Sequence, residues 1–90
     1  MISVAANAAP RAVSDLVHHA LAGRWAEARA LHAQYYRLFT DLFIDTNPIP
    51  VKTLLAQMGH IEEVFRLPLC ETTEANRQRL RELGVQLGLI

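Results

Sequence analysis

The stretch Asn47-Pro48-Ile49-Pro50 decides how this chain of 90 residues can fold. Both prolines lack an amide hydrogen and push the residue before them out of the α region, so a helix that arrives here must end. Pro50 also suits the first turn of a new helix, which the sequence predicts from Val51 to Met58, with Gly59 ending it. The stretch therefore separates a longer N-terminal helical part from a shorter C-terminal one.

Two helices are predicted before this stretch, and they meet at Gly23. The first begins at Asn7 or Ala9, with Pro10 in its first turn, and ends at Ala22; the second covers residues 24–43. Apolar residues repeat at spacings of three and four, which is typical of a buried helix face. The faces are Val13, Leu16, Val17, Ala20 and Leu21 in the first helix and Trp25, Ala28, Leu31, Tyr35, Leu38 and Leu42 in the second.

One more helix is predicted near the C-terminus, at residues 73–87. It follows a connector over residues 60–71, and Thr72 or Thr73 is its expected N-cap. Its apolar face is Leu80, Leu83 and Leu87. On the helix over residues 24–43, Arg37 and Asp41 are expected to form an i,i+4 ion pair on the solvent side.

The N-terminal segment, residues 1–6, has a different character. Ile2, Ser3 and Val4 favour a β-strand, yet the sequence offers no second strand to pair with it. The predicted fold class is therefore mainly α, with an orphan N-terminal strand followed by four helices. Because a lone strand needs neighbours, we expect this chain to belong to something larger.

Composition narrows the function classes. Nine acidic residues balance nine basic ones, so no general attraction to nucleic acid or to an anionic membrane surface is expected. No apolar run reaches the ~18 residues that a membrane span needs, and the N-terminus does not resemble a signal peptide. Cys70 is the single cysteine, which favours a reducing compartment, and we expect a cytoplasmic protein.

No catalytic or metal-binding constellation is evident. Lys52 is the single lysine, and a desolvated lysine can form a Schiff base, but no general acid or base lies at a defined spacing from it. We expect its stem to lie along apolar surface and its ammonium in water. Cys70 is expected to be a structural thiol. The four histidines, His18, His19, His32 and His60, lack the spacing of a metal site. No catalytic residue, metal ligand or cofactor is therefore predicted from these residues.

Five segments occur in an order that is itself informative. They are ISVAANAAPR (2–11), LAGRWAEAR (21–29), LFIDTNPIPVK (42–52), RLPL (66–69) and a closing helix that ends in LGLI (87–90). Together they resemble the C-terminal part of the dihydrodipicolinate synthase (4-hydroxy-tetrahydrodipicolinate synthase) family. NPIPVK is the most discriminating segment, since related class I aldolases such as N-acetylneuraminate lyase typically lack it. Departures include Ala5, where the family often has Thr or Ser, and CETTE (70–74).

The resemblance implies a fold and a division of the chain. The family folds as a TIM (β/α)8 barrel followed by three helices. Residues 1–23 would be the last strand and helix of the barrel, and residues 24–90 the C-terminal three-helix extension. The extension would help to shape the assembly.

The resemblance also implies an activity that this chain cannot perform alone. Family members condense pyruvate with aspartate semialdehyde through a lysine Schiff base in lysine biosynthesis. Their nucleophilic lysine and proton-relay residues lie on earlier strands and loops, which would precede Met1, so Lys52 is not the nucleophile. The one retained substrate contact would be the backbone carbonyl of Ile2, which lines the pyruvate pocket in the intact parent. No catalytic residue and no cofactor are implied within these 90 residues.

Two other interpretations stay open from the sequence. LAGRWAEARALHAQYY (21–36) resembles the helix junction of a tetratricopeptide repeat, a protein-interaction module, but the expected echo about 34 residues later is weak. The second alternative interpretation is a stand-alone helical oligomerisation module. In a chain without the rest of the barrel, the apolar faces of the first helix and of the Trp25–Phe43 helix predict a homo-oligomer with these two helices at the contact. Pyruvate and aspartate semialdehyde are expected as ligands in the intact parent alone.

Overall fold

The structure, a computed structural model, describes residues 2–90, and within them the chain is mainly helical, as predicted. Its α-helices are α1 (Ala5–Ala8), α2 (Pro10–Leu21), α3 (Trp25–Asp41), α4 (Ile49–Gln57) and α5 (Glu74–Gln86). No β-strand occurs in this part of the chain. None of the helices among these residues is long and apolar enough to cross a membrane.

The N-terminal strand predicted for residues 1–6 is not found where the structure describes the segment, and Met1 lies outside the described residues. Ala5 and Ala6 belong to α1, so this part of the prediction is wrong. The Ala6 amide donates to Ser3 Oγ at 3.2 Å, and the Asn7 amide donates to the Val4 carbonyl at 3.1 Å. These local bonds start a helical turn at a place where residues 2–90 provide no neighbouring strand.

Helices α2 and α3 form a hairpin that turns at Gly23. This glycine has φ 77°, which is the left-handed region that the sequence predicted for it. The Arg24 amide closes the end of α2 by donating to the His19 carbonyl at 2.8 Å. The predicted α2 and α3 faces are only partly buried, because Leu21 is 81% and Trp25 61% exposed. Both lie at the turn, since Leu21 ends α2 and Trp25 begins α3.

The core lies at the other end of the hairpin, where α3, α4 and α5 meet. Its fully buried leucines are Leu38, Leu42, Leu54, Leu80 and Leu83. Burying a leucine side chain contributes about 1.5–3 kcal/mol, so these residues hold the three helices together. Helix α4 begins at Ile49, two residues before the predicted start, with Pro50 in its first turn. The Asn47–Pro48 and Leu67–Pro68 peptide bonds are cis.

The environment of Asp41 differs from the predicted one. It was expected on the solvent side of α3, but it is 2% exposed, and Arg79 of α5 contacts both of its carboxylate oxygens at 3.0 and 3.2 Å. Arg37, its predicted partner, lies 3.5 Å away. The helical spacing predicted the Arg37 contact, whereas the α5 contact comes from a residue 38 positions away. A charge this buried is tolerated because it is paired.

Candidate functional site

Ile2, whose backbone carbonyl the family resemblance assigns to substrate contact, lines an apolar groove. The groove is a cavity of about 260 Å³ between the N-terminal segment and the last turn of α3. Its lining residues are Ile2, Ser3, Val4, Ala5, Phe39, Leu42 and Phe43. We call it the N-terminal groove.

Local hydrogen bonds set the N-terminal wall of this groove. Besides the bond from the Ala6 amide to Ser3 Oγ, the Asn7 side-chain amide donates to the Val4 carbonyl at 3.1 Å. Ala5 is buried against the core, whereas the side chain of Ile2 is fully exposed. The wall is therefore anchored at its inner end and open at Ile2.

The last turn of α3 supplies the opposite wall. Leu42 is fully buried and its amide donates to the Leu38 carbonyl at 3.2 Å, which continues the helical pattern. Phe43 follows it, and its amide donates to the Thr40 carbonyl at 3.1 Å. Its ring is 60% exposed. An exposed phenylalanine beside a fully buried leucine makes this rim apolar on the side that faces solvent.

The chemistry available in the N-terminal groove is limited by its lining. No lining residue is titratable, and Ser3 is the one with a polar side chain. The Ser3 hydroxyl oxygen is already occupied as an acceptor for the Ala6 amide. The groove can therefore receive apolar groups, but its side chains offer no general acid, general base or ionised nucleophile.

A second cavity, of about 230 Å³, is polar and was not predicted from the sequence. It lies between α4, the connector and α5, and it is lined by Gln57, Glu63, Glu74, Arg77, Gln78 and Arg81. Arg77 donates to Glu63 at 2.6 Å, and Gln57 donates to the Arg77 carbonyl at 3.0 Å. The first bond ties the connector to α5, and the second ties α4 to α5. Glu63 and Arg77 lie 14 residues apart on different elements, so no periodic signal could have paired them.

The side chain of Lys52 contacts the connector. Its Nζ donates to the Val64 carbonyl at 2.7 Å and lies 5.0 Å from the centre of the Phe65 ring. The bond is exposed to solvent, as expected for an ammonium in water, and the connector adds a carbonyl and a ring face beside it. The contact holds the connector against α4.

The histidines and the cysteine are dispersed. His18 Nδ1 lies 2.8 Å from the Ser14 carbonyl, and His19 accepts a bond from Arg24 Nε at 2.9 Å. The His32 ring stacks on the Phe39 ring, with the two ring centres 5.8 Å apart. In the part of the chain from Ile2 to Ile90, no three His, Cys, Asp or Glu side chains are grouped as a metal site would require. Cys70 is a free, exposed thiol.

Comparison with known proteins identifies the family. Residues 1–86 match the model of the dihydrodipicolinate synthetase family. The chain belongs to this family. Two relatives named 4-hydroxy-tetrahydrodipicolinate synthase, from Chloroherpeton thalassium and Chlorobium limicola, are 50% and 52% identical to it over 90 residues. Each match covers 100% of this chain and 30% of the relative, so the chain spans about 30% of the length of these curated relatives.

Solved structures of the dihydrodipicolinate synthetase family have the same arrangement of helices. The dihydrodipicolinate synthase of Aquifex aeolicus matches with a TM-score of 0.94 at 46% identity, over 98% of this chain and 30% of that one. A protein described as the first monomeric dihydrodipicolinate synthase variant matches with a TM-score of 0.97 at 38% identity, over 100% of this chain and 30% of that one. The matched region is the C-terminal part of these barrel structures.

These matches confirm the predicted family and bear on the alternative interpretations. A tetratricopeptide module is not favoured, since the family match runs through the connector and α5 as well as through the α2–α3 hairpin. The role of the Ile2 carbonyl in the dihydrodipicolinate synthetase family setting stays a prediction. Ile2 does lie at an open rim, and within residues 2–90 no group donates a hydrogen bond to its carbonyl.

Proposed function

We propose that this chain forms the C-terminal part of a synthase that condenses pyruvate with aspartate semialdehyde in lysine biosynthesis, and that its role there is structural. The observation that carries the proposal is the match over all 90 residues, at about half identity, to 30% of proteins named 4-hydroxy-tetrahydrodipicolinate synthase. The named activity requires a whole enzyme, and the chain contributes helices that stabilise it.

The proposed division of the chain follows the resemblance. Residues 1–23 are proposed as the last strand and helix of the barrel, although the backbone is already helical at Val4, with φ −66° and ψ −43°. Residues 24–90 form the three-helix extension. Leu38, Leu54 and Leu83 join α3, α4 and α5 in one core, and Ala5, Ala8 and Val13 of residues 1–23 pack into the same core.

Catalysis is assigned to the part of the enzyme that lies outside the matched region. A Schiff base needs an amine that can attack the pyruvate carbonyl, and Lys52 is held by the Val64 carbonyl and the Phe65 ring. The proposed substrate contact within this chain is the Ile2 carbonyl, toward pyruvate. Its exposed position at the rim of the N-terminal groove is compatible with that role.

A chimaera tests this function. The 90 residues replace the matched region of the Chlorobium limicola enzyme, and condensation of pyruvate with aspartate semialdehyde is measured. We expect activity within about tenfold of the parent, because 52% identity over the exchanged region preserves the fold. A matched control carries Leu38→Asp, which places a charge in the core that joins α3 to α5 and should abolish activity. A folded chimaera without activity would refute the proposal.

We also propose that the protein is cytoplasmic and self-associates through apolar helix faces. Leu21, Trp25 and Tyr36 are large apolar residues with more than half of their surface exposed. Side chains of this size gain about 1.5–3 kcal/mol each when they are buried, which favours a contact between copies. The single cysteine, Cys70, supports a reducing compartment.

A further inference from the structure

The polar cavity between α4, the connector and α5 contains two hydrogen-bond acceptors that no group within residues 2–90 satisfies. Gln57 Oε1 and Glu63 Oε1 are both buried and accept no hydrogen bond from this part of the chain. The other terminal atom of each side chain is engaged, since Gln57 Nε2 donates to the Arg77 carbonyl and Glu63 Oε2 accepts from Arg77 Nη2. Each side chain is therefore held in place with one acceptor to spare. Buried acceptors are normally paired, so these two indicate a bound molecule that donates to them.

The size and the charge of the cavity restrict what this molecule can be. Its volume is about 230 Å³, whereas one buried water molecule needs about 10–15 Å³. The lining carries two carboxylates, from Glu63 and Glu74, and two guanidinium groups, from Arg77 and Arg81, so its formal charge is zero. A simple ion of either sign would leave an unbalanced charge in a site partly withdrawn from water. A molecule larger than water and without net charge fits better.

Helix α5 supplies a cation that can bind an anionic group of such a molecule. Arg81 lines the cavity and is exposed, and within residues 2–90 no carboxylate pairs with it. Arg77, one helical turn before it, is already paired with Glu63 at 2.6 Å. A guanidinium group binds a carboxylate through two parallel N–H bonds. The cavity therefore offers acceptors at Gln57 and Glu63 and an unpaired guanidinium group at Arg81.

We propose that this cavity binds a small α-amino acid in its zwitterionic form. Its ammonium group donates to Gln57 Oε1 and Glu63 Oε1, and its carboxylate pairs with Arg81. An ammonium group has three N–H donors and no acceptor, so one such group can satisfy both buried oxygens. The inference goes beyond the proposed function and does not depend on it, because every residue involved lies in the connector, α4 or α5.

Calorimetric titration with L-alanine tests the site. The isolated chain and the Chlorobium limicola chimaera are both titrated, so that the result does not depend on either one alone. We expect saturable binding with a Kd on the order of 1 mM, which for about six non-hydrogen atoms is within the ceiling for small ligands. Acetate and methylammonium each carry one of the two charged groups, and glycine betaine has no N–H donor. All three should bind at least about tenfold more weakly, because each lacks hydrogen bonds to charged groups.

Two substitutions in the cavity locate the binding site. Glu63→Gln should raise the Kd for alanine at least about tenfold, because it removes the charge that attracts the ammonium group. Arg81→Gln should raise it about fivefold, as expected for an exposed ion pair. Because Arg81 makes no ion pair within residues 2–90, its substitution tests the site without removing a contact of the fold.

Glu62→Gln and Arg66→Gln are the matched controls, since both residues are exposed in the connector and neither lines the cavity. Each should change the Kd less than twofold. The inference would be overturned if alanine showed no saturable binding to the chain or the chimaera, or if all four variants weakened binding equally. Glycine betaine that binds as tightly as alanine would overturn it too. Methylammonium that binds as tightly as alanine would identify a site for cations and contradict the assignment of Arg81.

Discussion

The side chain of Ile90 lies directly over Gly84, so that a Cβ atom on residue 84 would be 2.5 Å from Ile90 Cδ1. Gly88, with φ 73°, reverses the chain after α5, and the Leu89 amide then donates to the Gly84 carbonyl at 2.8 Å. Leu54 of α4 bounds the same position, with its Cδ1 at 3.2 Å. Gly84 therefore lets the C-terminus fold back onto the contact between α4 and α5.

A double-mutant cycle tests this relationship. Ala in place of Gly inside a helix normally stabilises it by up to about 1 kcal/mol. We expect that gain in the Ile90→Ala background, and its loss or reversal when Ile90 is present, because the new methyl group displaces the Ile90 side chain. The free energy of urea unfolding should show a coupling of about 1–2 kcal/mol. Val85→Ala is the control partner for Gly84→Ala, since Val85 is exposed; coupling of the same size there would argue against the contact.

The buried carboxylate of Asp41 should be the most sensitive acidic residue of α3. Arg79 contacts both of its oxygens, and Asp41 in turn raises the pKa of Arg79, first through the hydrogen bond and then through its charge. We expect Asp41→Ala to lower the free energy of unfolding by about 1–3 kcal/mol, because it removes the acceptor that joins α3 to α5. Thermal and urea unfolding measure the loss. Asp15→Ala, at an exposed site on α2, should change little, and an equal loss there would contradict the assignment.

The carboxylate of Asp45 should make the free energy of unfolding depend on pH in the acid range. The Thr72 hydroxyl, at 2.8 Å, and then the Thr46 amide lower the pKa of Asp45 below its ordinary value of 3.8. A carboxyl whose pKa is lowered in the folded state contributes stability above pH 3.8, and this is lost as the pH falls through the folded-state pKa.

Thr72→Val removes the hydroxyl that donates to Asp45. The free energy of unfolding should then depend less on pH in the acid range near and below pH 3.8. Urea unfolding midpoints from neutral pH down to about pH 3 measure it. Thr40→Val is the control, because the Thr40 hydroxyl donates to backbone carbonyls of its own helix. A Thr72→Val profile parallel to that of Thr40→Val would contradict the role of Asp45.

Self-association should depend on the exposed end of the α2–α3 hairpin. We expect the 90-residue chain to sediment as a dimer or larger species at micromolar concentration, and Leu21→Glu to shift it toward monomer. A charge at a buried contact between copies is costly, whereas the same change at Val64, an exposed connector residue, should have no effect. A wild-type chain that stays monomeric would show that Leu21 and Trp25 do not form such a contact.

Local chemistry explains which parts of the fold could be predicted. The prolines at 48 and 50, and glycines 23 and 59 with φ 77° and 84°, act through backbone geometry alone, so the ends of the helices followed from the sequence. Thr73, one of the two predicted N-caps, accepts a bond from the Asn76 amide at 3.2 Å. These are short-range effects, and they need no knowledge of the rest of the fold.

The failures depend on contacts between distant elements. Helical periodicity predicts Asp41 on the solvent side because it carries no information about Arg79, and it predicts a buried Trp25 where the structure has one that is 61% exposed. The strand over residues 1–6 is predicted from the β propensity of Ile2, Ser3 and Val4, whereas Ala5 and Ala6 belong to α1. The N-terminal groove was not predicted either, because its walls lie more than thirty residues apart in sequence.

Reductive trapping with pyruvate tests most directly whether this chain supports catalysis without supplying the nucleophile. The isolated chain and the Chlorobium limicola chimaera are each treated with pyruvate and borohydride, and the modified residue is located by mass spectrometry. The account predicts a pyruvyl adduct in the chimaera on a lysine outside the 90 residues, and none on the isolated chain. A stable adduct on Lys52 would contradict it.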